Sequence, residues 1–193
     1  MARPIEFERD QVLEKAMLAF WDQGYCATSM TQLVKATKLN PGSIYAAFKS
    51  KEELFLATLD HYGEASAEKI SLALKASDSP LQGIRNYFRQ LAATTTNPKA
   101  QQSCLLVNTI LELAHRNTKV RQRVNAHFEV IESCFRSALQ AAHDSGELSA
   151  DKDPTEVATF LISSIWGLRV LAGTGPAPAR AEAVVSQILK LLD

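Results

Sequence analysis

Glycine and proline are scarce in this chain, 8 and 7 among 193 residues, which disfavours a turn-rich all-β fold. Cysteine is scarce too. Cys26, Cys104 and Cys134 are odd in number, far apart and form no CxxC pair. Neither a disulfide framework nor a structural zinc site is expected, and a reducing cytoplasm fits best. Charge of one sign is not in excess: 21 basic residues balance 21 acidic ones, which excludes a uniformly basic protein that coats nucleic acid. The charged start lacks the apolar core of a signal peptide. The most apolar stretch, 157–173, is short of the ~20 residues of a membrane span and contains Thr159, Ser163, Ser164 and Arg169. It reads as a buried helix of a soluble protein, with no membrane partner. A glycine-rich phosphate loop, HExxH and GxSxG are all missing, and the four histidines are scattered. No enzyme, cofactor or metal site is therefore expected. A thiol-dependent enzyme using Cys104 and a helical protein-binding adaptor remain as alternative readings.

Helical periodicity is abundant. Val12, Ala16, Ala19 and Phe20 recur at helical spacing, and Gly24 ends that first helix. Ser29 with Gln32, and Ser50 with Glu53, have the spacing of capping boxes. Asn40-Pro41 pairs an N-cap with a proline at the first helical position. Ser79-Pro80 and Asp153-Pro154 repeat that grammar, while Asn97-Pro98, Gly146 and Gly173–Pro176 interrupt. The expected fold is all-α with about nine helices. It divides into an N-terminal three-helix helix-turn-helix domain, 1–50, and a helical ligand-binding and dimerisation domain, 51–193.

Charge is unevenly placed about that division. Residues 1–51 hold seven basic and five acidic side chains, a net of +2, and the remainder carries −2. From Gln23 to Lys51 there are four lysines (Lys35, Lys38, Lys49, Lys51) and no acidic residue. An acid-free window suits a surface that meets phosphate. Within it, Met30–Lys38 and Gly42–Phe48 flank a tight turn, the helix-turn-helix pattern. Ile44 and Phe48 supply the inner face of the second helix; Pro41, Gly42, Ser43, Ala46 and Ala47 supply its outer face. Small residues let a helix N-terminus and its free N–H groups approach a DNA backbone. Tyr45 can hydrogen-bond a phosphate, and Lys49 and Lys51 can each neutralise one. A plain helical hairpin with solvated lysines is the competing reading.

The run from Gly24 to Leu33, followed by Leu39-Asn40-Pro41-Gly42-Ser43-Ile44-Tyr45-Ala46-Ala47-Phe48-Lys49-Ser50-Lys51-Glu52-Glu53-Leu54, resembles the DNA-binding domain of TetR-type transcription regulators. The resemblance implies a cytoplasmic homodimer, usually a repressor, that binds a palindromic operator in double-stranded DNA and is released by a small effector. It places Ser29 and Thr31 at the start of the supporting helix against backbone. Asn40, Pro41, Gly42 and Ser43 lie at the groove, and Tyr45 and Lys51 clamp phosphates. Ala46 and Ala47 depart from the family pattern, where larger polar residues are frequent. Thymine-methyl contact or DNA shape then carries more of the specificity. Arg3 and Arg9 form an arm suited to additional contacts.

For the remaining chain the resemblance implies dimerisation through the last two helices; the competing reading is that both are internal core. Ile162, Ile165, Trp166 and Val170 line one of them, and Val184, Val185, Ile188, Leu191 and Leu192 the other. The helix Ser103–His115 is apolar nearly all round, yet Cys104, Asn108, Glu112 and His115 share one side. That stripe faces solvent or lines a cavity. The segment Ser103–Thr109 also resembles a TetR subgroup that includes sensors of electrophiles and oxidants, in which the cysteine lies near the effector site. Cys104 is then a reactive thiol, a non-reactive pocket residue or an inert core thiol. Phe88, Phe128 and Trp166 join Cys104 and Asn108 as the expected site for a small organic or electrophilic effector; filling the core is the competing reading of the aromatic residues. His115, Arg116, Lys119, Arg121 and Arg123 form a second basic cluster, expected to be a solvated corner.

Overall fold

Several helices begin where capping residues and prolines predict. The computed structural model describes residues 8–94 and 104–193, which contain nine helices and no strand. They are α1 (Arg9–Ala27), α2 (Met30–Thr37), α3 (Pro41–Phe48), α4 (Lys51–Leu74), α5 (Pro80–Thr94), α6 (Leu105–Leu113), α7 (Thr118–Asp144), α8 (Pro154–Ala172) and α9 (Pro178–Lys190). The break expected at Asn97-Pro98, the start of the helix at Ser103 and the arm residue Arg3 lie outside the described residues.

Proline occupies the first position of α3, α5, α8 and α9, where its missing N–H costs nothing. Asp153 caps α8 by accepting from the Thr155 amide at 2.7 Å. Ser50 caps α4 by accepting from the Glu53 amide at 3.1 Å, but the reciprocal half of that expected capping box is absent. The Glu53 carboxylate binds Lys119 instead, and the Ser50 amide donates to the Phe48 carbonyl at 2.7 Å.

The chain forms two compact units, Met1–Ala65 with Leu105–Asn125, and Ser66–Cys104 with Ala126–Asp193. They do not follow the division expected at residue 50. Sequence patterning locates elements, whereas a compact unit is defined by which apolar faces meet. In the first unit α6 packs on α1. Phe20, Leu33, Ile44, Phe48, Leu54, Phe55, Leu59, Leu106 and Val120 are buried there. The eight-residue α3 is too short to persist alone, so its order derives from Ile44 and Phe48, fully buried and 4% exposed.

In the second unit α9 packs on α5 and α8. Ile84, Phe88, Phe135, Leu139, Leu161, Ile162 and Leu168 fill its core. A Cβ at Gly83 would lie 2.2 Å from the Leu74 carbonyl oxygen, so glycine here permits the end of α4 and the start of α5 to touch. Arg85 donates to the Leu189 and Leu192 carbonyls at 3.4 and 3.1 Å and pairs with Asp193 at 2.6 Å, closing the C-terminal end of α9. α8 is long and apolar enough by composition to cross a membrane; here Val157, Ala158, Leu161, Ile162, Ile165 and Leu168 bury one side of it in this core.

Candidate nucleic-acid interface

A complete capping box opens α2. The Ser29 hydroxyl accepts from the Gln32 amide at 3.2 Å, and the Gln32 side-chain oxygen accepts from the Ser29 amide at 2.6 Å. Thr37 near the helix end donates to the Leu33 carbonyl at 2.7 Å. Lys38 then adopts the left-handed conformation at φ 60°, ψ 19° and turns the chain. Asn40 caps α3 by accepting from the Ser43 amide at 2.8 Å. The apolar side of α3 points inward, leaving Pro41, Gly42, Tyr45 and Ala46 exposed. Tyr45 is 47% exposed, unusual for an aromatic side chain in a packed domain.

Of the nine residues expected at DNA, Ser29, Thr31, Asn40, Pro41, Gly42, Tyr45 and Lys49 are exposed, and Ser43 and Lys51 are half-buried. Lys51 is partly committed: its ammonium donates to the Tyr25 carbonyl at 2.6 Å and stands 4.4 Å above the Tyr25 ring. An ammonium has three donors, so others stay available. Lys49 has φ 66° and ψ −44°, and the Ser50 amide bonds the Phe48 carbonyl across it. This is the strained form of the γ-turn, rare for a residue with a side chain. Arg9 does not extend away from the domain. It opens α1, and its guanidinium covers the Phe48 ring at 4.9 Å.

One functional neighbour was invisible in sequence. Glu112 of α6 accepts from the Tyr25 amide at 3.0 Å and the Cys26 amide at 2.7 Å. The polar stripe predicted on this helix therefore neither lines a cavity nor faces only water at Glu112. It places a carboxylate beside the acid-free window, from 86 positions away. The Cys26 thiol is pushed up by a hydrogen bond to Glu112, by burial and by that same negative charge, so it is not an activated nucleophile. The second basic cluster is likewise not simply solvated. Lys119 pairs with Glu53, Arg123 pairs with Asp60, and Asn117 donates to Glu52 at 2.6 Å.

The residues expected at an effector divide between the units. Asn108 belongs to the first; Phe88, Cys104, Phe128 and Trp166 belong to the second. Phe88 is fully buried against Phe135 and Tyr87, so it is a core residue and not a pocket wall. Phe128 and Trp166 are half-buried and pack together with ring centres 4.4 Å apart and planes tilted by 41°. Cys104 is also half-buried. Near it, burial raises the Tyr87 phenol, and the positive charge of Arg169 opposes that shift.

The expected dimer face needs revision. Ile162, Ile165, Val185 and Ile188 are buried inside the protomer at 1–7% exposure, so they have little surface left to offer. Val170, Val184 and Leu191 remain 50%, 38% and 36% exposed. Phe160, 46% exposed, lines an apolar groove with Gly167, Leu171 and Val184. Helical spacing locates the apolar side of α8 but cannot divide it between a protomer core and a partner.

Capped helices joined by a left-handed turn, with a small-residue N-terminus exposed on the second, define a helix-turn-helix DNA-binding protein. Residues 12–58 match the model of bacterial regulatory proteins of the tetR family, and residues 80–187 match the tetracyclin repressor-like C-terminal domain. The chain belongs to the TetR family of bacterial transcription regulators. It is 30% identical over 190 residues to the HTH-type transcriptional repressor ComR of Escherichia coli K12, spanning 98% of this chain and 90% of that one. The fold matches a cysteine variant of the TetR family regulator CifR, complexed with 26 bp double-strand operator DNA, at a TM-score of 0.87. Identity to that protein is 32%, over 99% of this chain and 100% of the other. The reduced form of Escherichia coli NemR shares the fold at a TM-score of 0.85 and 18% identity, over 96% and 98% of the two chains.

Proposed function

We propose that this protein is a cytoplasmic, non-enzymatic repressor that binds a palindromic operator as a homodimer and is released by a small organic or electrophilic effector. The observation that carries this reading is the exposed N-terminal face of α3. Pro41, Gly42 and Tyr45 are open there, with Asn40 capping the helix and Lys49 beside it. The chemistry offered is N–H and hydroxyl donors with lysine charge, which suits phosphate oxygens. The likeness to CifR, solved on operator DNA, supports the same use of the same elements.

Asn40, Pro41, Gly42 and Ser43 then lie at the groove, Ser29 and Thr31 meet backbone, and Tyr45, Lys49 and Lys51 meet phosphate. A two-fold partner joins through Phe160, Val170, Val184 and Leu191, which places two α3 helices on successive half-sites. Cys104, Phe128 and Trp166 of the second unit contact the effector. Effector binding shifts the population of α4 positions and so weakens simultaneous engagement of both half-sites.

The test is operator affinity against salt, on a duplex enriched from a random pool by the wild-type protein. Lys51→Met lowers the slope of log affinity against log salt by about 1 per protomer. Tyr45→Phe weakens binding and leaves the slope unchanged, because it removes a hydrogen bond and no charge. Failure to enrich any duplex would overturn the reading.

A further inference from the structure

Gly24 has φ 80° and ψ 166°, a conformation essentially reserved for glycine, and it breaks α1 before the chain turns toward α2. The helical turn resumes at Tyr25, so the Tyr25 and Cys26 amides follow a break and lack the carbonyls an unbroken helix would supply. Glu112 accepts from both, one carboxylate oxygen to each, at 3.0 and 2.7 Å. The fit is close: a Cβ at position 24 would stand 2.8 Å from Glu112 Oε2. The opposite side of the same peptide is held as well, since Lys51 Nζ bonds the Tyr25 carbonyl at 2.6 Å. The Tyr25 ring packs on Phe20 and Phe55, at 6.1 and 4.8 Å between ring centres. Thr28, 1% exposed, closes the corner by donating to the Gly24 carbonyl at 2.6 Å. The next residue, Ser29, is the N-cap of α2.

We propose that Glu112 is a positioning residue for operator recognition. It touches no DNA. It fixes the Gly24–Thr28 corner through two backbone amides, and thereby fixes the direction in which Ser29, Thr31 and the following α3 are presented. This inference rests on the operator-binding function proposed above.

Charge and geometry make opposite demands, which gives the test its power. Removing a carboxylate beside a DNA-binding face strengthens binding if charge alone matters. Losing the corner weakens specific binding only. Three variants, Glu112→Ala, Glu112→Gln and Glu112→Asp, are compared on the enriched operator and on a scrambled duplex. Thermal midpoint and the pH dependence of Cys26 alkylation are measured beside them.

Glu112→Ala lowers operator affinity about tenfold, the scale set by a charged hydrogen bond, and leaves scrambled-DNA affinity unchanged or slightly raised. Glu112→Gln keeps one acceptor oxygen but turns an NH2 donor toward the second amide, so its operator affinity falls between wild type and the Ala variant. Glu112→Asp keeps the charge but falls about 1.5 Å short, one carbon–carbon bond, and behaves like Ala. Cys26 alkylation moves to lower pH in the Ala variant, which reports loss of the carboxylate from the corner. Should the Ala protein not fold, the Asp protein carries the comparison. Wild-type operator affinity in a folded Ala or Asp variant overturns the proposal, as does an equal loss on operator and scrambled DNA. If wild type itself selects no operator, the function is wrong and not the role of Glu112.

Discussion

Lys49 offers a perturbation in which stability and DNA affinity move in opposite directions. Its φ of 66° with ψ of −44° lies where a Cβ is crowded. Such a residue stores about 1–3 kcal/mol. Lys49→Gly releases that strain and costs about 0.4–1 kcal/mol through the freer unfolded chain. The net expectation is a stabilisation of about 0–2.6 kcal/mol, with a mid-range near 1.3 kcal/mol that corresponds to roughly 3–5 °C in Tm for a chain of this size. The same change deletes an exposed cation next to α3. If that cation neutralises one phosphate per protomer, the salt slope falls by about 0.9 per protomer, or about 1.8 per dimer. Lys49→Ala deletes the cation and retains the strain, so it shares the slope change without the gain in Tm. The assays are thermal unfolding at fixed protein concentration and fluorescence anisotropy on labelled operator between 50 and about 200 mM salt. A Gly variant that melts below wild type refutes the strain argument. An unchanged slope in both variants removes Lys49 from the phosphate contacts.

Further outcomes follow from the same geometry. Gly83→Ala forces a methyl to 2.2 Å from the Leu74 carbonyl; overpacking of about 1–3 kcal/mol exceeds the gain in helix propensity, and the urea midpoint falls. Phe160→Asp puts a charge into the apolar groove of α8 and α9 and yields monomers in sedimentation at micromolar concentration, with protomer helicity retained. A dimer of undiminished affinity would remove that face as the interface. The Lys119 hydrogen bond holds the Glu53 carboxyl below its ordinary range, so its stabilisation is present above the unfolded value and is lost as pH falls through the folded one. Lys119→Met therefore lowers the denaturation midpoint at neutral pH, and the difference from wild type closes below about pH 4.

The helices and the helix-turn-helix were legible because their signals are local. Ser29, Asn40 and Asp153 each bond an amide two or three residues away, and proline marks a first turn wherever it was expected to. The window from Gln23 to Lys51 was legible as charge; of the small outer face expected on α3, Pro41, Gly42 and Ala46 are exposed, whereas Ser43 and Ala47 are half-buried. What escaped was non-local. Glu112 sits three residues from His115 on a stripe that sequence could assign only to solvent or a cavity. Its partners are backbone amides, which carry no residue signature. Glu53 matched a capping box, yet a distant lysine outcompeted the local amide. Ile162 and Val170 belong to one apolar helix, and only packing separates the core residue from the surface one.

The interleaving of the two units affects how the protein is made. The first unit contains Met1–Ala65 and is completed only by Leu105–Asn125, so 60 further residues must be synthesised after Ala65. At about 5–20 residues per second, translation holds the nascent segment incomplete for about 3–12 s. Throughout that interval α1 lacks the α6 helix on which it packs, and Glu112 has yet to be made. The helix-turn-helix is thus translated well before the piece that completes its unit, and the second unit, which extends to Asp193, is completed later still. Grafting the first unit onto another body requires joins at 65/66, 104/105 and 125/126, so one crossover cannot transfer it.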